Sequence, residues 1–276
     1  KQYCEQNNKQ IYDYVYETEG EEIKNFLGEI WEAMKESICF GLNAEGIIPG
    51  KLQLSKRAKS IYNNKIENEP TEVKRTRLLT AYAYAVSETN ASGGEIVTAP
   101  TCGSCGVLPA TLYYLQKEDK YTDEEIINAL ATAGIIGNIV KTNASISGAE
   151  CGCQAEIGTA CSMAAAACSQ LRKLDIYKIE HAAEIAMEHH LGLTCDPIYG
   201  YVQIPCIERN AVAAIRAIDA SNISMLLDEN QKISFDLITE TMYETGKDLR
   251  SHYRETSTGG LAKKYCRNKY YNTDME

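Results

Sequence analysis

Apolar residues recur at Ile23, Phe26, Leu27, Ile30, Trp31, Met34, Ile38 and Leu42. Spacings of three and four put them on one face, which predicts a helix over 21–42. Residues 47–50 (IIPG) break it. A second helix, rich in Ala and Tyr, is predicted over 73–89, ended by Ser92, Gly93 and Gly94. Residues 63–70 are polar and read as a surface connection. The next helix is predicted over 123–140, with Thr122 as N-cap and Glu125 at the capping-box position. Residues 155–171 are very rich in Ala, the best helix former, and predict a helix that neighbours can approach closely. Helices over 176–191, closed by Gly192, and over 208–220 and 235–249 complete the pattern. Strand-like alternation is scarce, and 199–205 is the best short candidate. The pattern predicts an all-α protein, a single multi-helix domain over 1–276 whose Gly/Pro-rich loops converge on a site.

Composition narrows the class. The 276 residues are 44% hydrophobic and 24% charged, which suits a globular chain and excludes a disordered one. A net charge of −10 without a basic patch argues against a nucleic-acid partner. The run 163–168 is far short of the ~20 apolar residues a membrane span needs. No signal peptide opens the chain, which points to the cytoplasm; it begins at Lys1 rather than Met, which leaves room for missing N-terminal sequence. Eleven cysteines is a high, odd number, so complete internal pairing is excluded. A reducing compartment with thiols free for metal or redox work is the better reading.

Three stretches resemble neither helix nor linker: 98–106 (TAPTCGSCG), 143–153 (NASISGAECGC), and 193–197 (LTCDP) running on to 205–210 (PCIERN). Each mixes Gly or Pro with Cys, hydroxyl and charged residues, and such loops on a rigid scaffold carry binding groups. Cys153, Cys195 and Cys206 each sit at a predicted helix boundary. There a thiolate can turn inward without disturbing a backbone ladder, as a soft ligand for iron–sulfur clusters or zinc. Their separations of 42 and 11 residues match no ferredoxin pattern, so buried structural thiols are the competing reading. Cys102 and Cys105 form a CxxC pair without a second pair or histidine partners, and read equally as small residues in a tight loop. Cys161 and Cys168 share a helix face and read as packing.

At these loops the chain resembles the alpha subunit of iron–sulfur-dependent L-serine dehydratase (L-serine ammonia-lyase). The resemblance is carried by 143–150 (NASISGAE) with 152–154 (GCQ), 188–197 (EHHLGLTCDP), 202–210 (VQIPCIERN) and 253–262 (YRETSTGGLA), with a weaker match over 31–58. It implies that Cys153, Cys195 and Cys206 hold a [4Fe–4S] cluster. Three thiolates would leave one iron open as a Lewis acid for L-serine, with no pyridoxal phosphate. The reaction implied is deamination of L-serine to pyruvate and ammonia, as in amino-acid degradation and gluconeogenesis. Ser145, Ser147 and the Gly148 backbone are candidates to bind the substrate carboxylate, or else cap a turn. Lys141 is a candidate to pair with it, or else a solvated lysine. Asn143, Thr98 and Thr101 are expected in the pocket wall. Arg209 and Asn210 are expected to orient the cluster or to cap the following helix. The general base is expected from a serine dehydratase beta subunit, a separate chain or a missing N-terminal domain, in an oligomer. Residues 102–105 (CGSC), Cys151 and Tyr199 depart from the family pattern, the first within the pocket. The end of the chain, 273–276 (TDME), is expected to carry no plugging cysteine. The competing functions are another cluster-dependent lyase, such as an L-cysteine desulfidase, and a non-catalytic thiol-rich or zinc-binding partner subunit.

Overall fold

A computed structural model describes residues 1–227 and 231–272; the expectation about 273–276 lies outside the described residues. Its helices are α1 (Gln2–Gln6), α2 (Ile11–Glu19), α3 (Glu22–Asn43), α4 (Ala58–Asn63), α5 (Thr71–Ala91), α6 (Val107–Asp119) and α7 (Asp123–Asn143). They continue with α8 (Gly148–Cys151), α9 (Thr159–Leu171), α10 (Ile176–Glu188), α11 (Cys206–Leu226), α12 (Phe235–Asp248) and α13 (Gly260–Asn272). No strand occurs among the described residues, only the isolated bridges Ile47–Ser55 and Cys195–Arg254. The fold is all-α. No described helix is long and apolar enough to cross a membrane.

Helix α9 is the axis of the fold. All thirteen of its residues are buried, and α6, α7, α10 and α11 pack around it. The sequence explains this: residues 164–167 are four consecutive alanines, so α9 presents little side-chain bulk on any face. A helix apolar all round belongs in a core. The buried hydrophobic residues of these helices form one contiguous cluster that also takes in α3 and α5. Close approach recurs where α3 meets α5. A Cβ on Gly41 would lie 2.2 Å from the Ala85 carbonyl oxygen, so only glycine permits that crossing.

The helix expected over 123–140 begins as predicted. The Glu125 N–H donates to Thr122 Oγ1 at 3.2 Å, and the Thr122 N–H returns to Glu125 Oε2 at 2.9 Å. Other expectations are corrected. The strand candidate 199–205 is a closed loop: a 3₁₀ turn spans Ile198–Gly200, with Tyr199 in the left-handed region at φ +58°. The Ile198 N–H then donates to the Ile204 carbonyl at 3.0 Å, closing the loop on itself and leaving no ladder partner. Helix α11 starts at Cys206 rather than near Glu208, so that cysteine is helical. The Ala-rich helix is preceded by a π-helical turn, Gln154–Gly158, in place of regular α-helix from 155.

Candidate metal centre

Four segments meet ahead of α9. Gly152, at φ +76°, turns the chain out of α8 and into Cys153 and the π-helical turn. Gln154 is wholly buried and clamps the next segment. Its N–H donates to the Leu193 carbonyl (3.1 Å), and its Oε1 accepts from the Gly192 N–H (2.9 Å). Its Nε2 donates to the Cys151 and Met242 carbonyls. These bonds fix the approach to Cys195. Residues 253–262 then fold over that cysteine. Cys195 N donates to the Tyr253 carbonyl at 2.8 Å, and Glu255 N donates to the Cys195 carbonyl at 2.7 Å. Asp196, beside it, accepts from the Leu261 N–H.

The third segment opens α11. Asn210 donates from Nδ2 to the Gly103 and Cys206 carbonyls (2.8 and 2.9 Å) and accepts at Oδ1 from the Gly106 N–H (2.8 Å). It thereby joins the Cys206 turn to the 102–106 loop instead of capping α11. Arg209 donates to the Thr194 carbonyl at 2.6 Å and lies 3.8 Å from Asp196. The fourth segment is that 102–106 loop, where a 3₁₀ turn spans Cys102–Ser104.

The ligand atoms of Cys153, Glu156 and Cys195 lie within 4.8 Å of one another. Cys206 stands outside that trio, yet its thiol feels the charges of Cys153 and Glu156. All three cysteines are buried. A hydrogen bond between the Cys153 and Cys195 sulfurs favours thiolate at Cys153 and holds the proton on Cys195. Burial pushes the Cys206 thiol up to about 12. Burial likewise holds the Glu156 carboxyl above its usual range, against the opposing bond from Thr101 Oγ1 to Oε1 at 2.7 Å. The donor set is soft sulfur with one hard carboxylate oxygen, and it suits a thiolate-bound metal centre such as an iron–sulfur cluster.

The other expected site residues divide. Gly148 is part of the wall: a Cβ there would lie 2.5 Å from Glu156 Oε2 and 3.2 Å from Cys195 Sγ. Thr101 reaches the wall through Glu156. Ser145 is buried and accepts from the Ser147 N–H at 3.1 Å, while Ser147 precedes α8. Lys141, Asn143 and Thr98 are exposed. Cys102 is exposed and Cys105 fully buried. Cys161 and Cys168 are buried within α9, and Cys151 packs against Gly246 of α12. Sequence reasoning missed Glu156 and did not single out Gln154. The available signal was a carboxylate three residues after Cys153 in a run that is otherwise uncharged.

Comparison with known proteins shows the family. A family model described as "Serine dehydratase alpha chain" matches residues 3–262. The chain is 46% identical to L-serine dehydratase of Haemophilus influenzae over 273 residues, 95% of this chain and 60% of that protein. It is 47% identical to L-serine dehydratase 2 of Escherichia coli over 251 residues, 88% of this chain and 54% of that protein. It is 45% identical to L-serine dehydratase of Helicobacter pylori over 271 residues, 94% and 59%. The chain spans three fifths or less of the length of these curated relatives.

Proposed function

The chain belongs to the serine dehydratase alpha-chain family, and from that premise we propose that it is the catalytic alpha portion of an L-serine ammonia-lyase. It forms one catalytic domain over 1–276 and works with a beta portion. Cys153, Cys195 and Cys206 hold its [4Fe–4S] cluster. The observation that carries the reading is the buried meeting of the Cys153 and Cys195 sulfurs, with Cys206 in electrostatic reach. Those thiols come from three separate segments, which chance packing of apolar thiols does not require.

When bound, the cluster would supply a Lewis-acidic iron able to polarise the serine hydroxyl and make hydroxide a better leaving group. The chain's own groups hold and orient the substrate. Ser145, Ser147 and the Gly148 N–H bind the carboxylate, with Lys141 as its counter-charge at the end of α7. Asn143 and Thr98 complete the substrate-binding wall, and Thr101 fixes Glu156. Arg209, anchored on Thr194 and Asp196, holds positive charge beside the thiolates. The base that removes the α-proton comes from the beta portion, and the released enamine hydrolyses to pyruvate and ammonia.

The test is anaerobic reconstitution with iron and sulfide. About four irons with matching acid-labile sulfide are expected per chain. With the beta portion added, L-serine yields pyruvate. Cys195→Ser loses the cluster absorbance. Zinc in place of iron overturns the reading in favour of a non-catalytic subunit. Sulfide release from L-cysteine in preference to ammonia from L-serine overturns the substrate.

A further inference from the structure

The buried Glu88 shows what the half-buried Glu156 is not. Glu88 is buried and accepts from the N–H groups of Arg57 and Ala58 at 2.7 and 3.2 Å. Its carboxylate is consumed in holding the start of α4. Glu156 has no such employment. Among the described residues it accepts from no backbone N–H; Oε1 accepts from Thr101 Oγ1, and Oε2 lies 3.9 Å from Cys153 Sγ. The two oxygens therefore differ: Oε1 is anchored, and Oε2 faces the thiols.

The surrounding backbone is shaped to this carboxylate from two sides. A Cβ on Gly103 would lie 3.1 Å from Oε1, and one on Gly148 would lie 2.5 Å from Oε2. Glu156 also follows Cys153 by three residues, so both project from one helical turn toward the same point. A carboxylate drawn half-buried against cysteine sulfurs is costly once those sulfurs ionise, unless a cation joins them. Arg209 is the nearby cation, and it is already engaged by Thr194 and Asp196.

We propose that Glu156 is a fourth protein ligand of the metal centre, with Oε2 on the iron that Cys153, Cys195 and Cys206 leave open while substrate is absent. The inference rests on the cluster reading above. It gives the open iron a hard oxygen donor of the same class as a substrate carboxylate. An incoming amino acid then exchanges one carboxylate for another at that iron, with no change in ligand charge. Glu156, anchored by Thr101 and walled by two glycines, stays beside the site it vacates.

The experiment compares wild type with Glu156→Gln, each reconstituted without oxygen using ⁵⁷Fe and sulfide. In wild type, Mössbauer spectra are expected to show one iron distinct from the other three, shifting when L-serine is added. In Glu156→Gln the cluster persists on the three thiolates, but the distinct iron changes its spectrum before any serine arrives. That iron is also lost to ferricyanide about tenfold faster, leaving a three-iron cluster. A second measurement needs no variant: wild type carrying ¹³C-carboxylate glutamate shows carbon coupling to the reduced cluster, abolished by L-serine. Wild type that assembles no iron–sulfur cluster overturns the proposed function and this inference together. A four-iron wild type without ¹³C coupling, or with a Glu156→Gln spectrum and iron-loss rate like its own, overturns this inference alone.

Discussion

Gly148 shows how much of the site is written in single residues. Its missing side chain leaves room for Glu156 Oε2 and Cys195 Sγ together. Gly148→Ala is expected to weaken iron retention about tenfold, because the added methyl must push the carboxylate or the thiol off its position. Its melting temperature should stay near that of wild type, since the clash falls on side-chain ends at the site and not on the backbone of the core. Iron content after gel filtration, set against thermal unfolding of the metal-free protein, checks both halves. The sequence displayed this glycine and the three cysteines, because Gly and Cys in hydroxyl-rich loops are conspicuous. It hid Glu156. Amid Ala155, Ile157 and Gly158 one acidic residue reads as a favourable charge at a helix N-terminus. Only the approach of the 102–106 loop and Cys195, both distant in sequence, turns that charge into part of a site.

Helices were legible where their faces are amphipathic. Helix α3 carries its apolar residues on one stripe, and its predicted bounds differ from the observed ones by a residue at each end. Helix α6 escaped because Pro109 sits in its first turn and a Cys/Gly loop precedes it, although proline is tolerated there. The alternation over 199–205 misled because a turn through a left-handed tyrosine also alternates. At a helix crossing, Gly41→Ala gains helix propensity but sets a Cβ against the Ala85 carbonyl, so α3 and α5 must separate. A net loss of about 2 kcal/mol is expected in denaturant unfolding. Helix α10 carries a different signal. Burial, with Glu188 and Glu180 on the same helix face, raises the Glu184 carboxyl from 4.5 to about 7. The folded state therefore holds a proton that the unfolded chain releases, and stability falls as pH rises from about 4.5 to about 7. Glu184→Gln removes that loss. Relative to wild type its melting temperature should rise by roughly 5 °C between pH 5 and pH 8.

Across the whole molecule, stability is centred on α9. Its amides lie under four neighbouring helices, so they open only when the fold does. Hydrogen exchange is expected to be slowest over Thr159–Leu171, and fast in the polar connection over 64–70. Comparable rates in the two regions would refute a single central axis. The candidate metal centre is continuous with that axis, not mounted on a separate loop. The π-helical turn Gln154–Gly158 joins the two and carries one residue more than an α-helical turn would. Each residue of an α-helix rotates the chain by about 100°. Deleting one residue from this turn would swing Cys153 and Glu156 away from Cys195 while α9 kept its seat in the core. The chain length from Cys153 to Thr159 therefore behaves as a phase setting: surface loops tolerate insertions and deletions, but here a single-residue indel is expected to leave a folded protein whose proposed ligands point the wrong way.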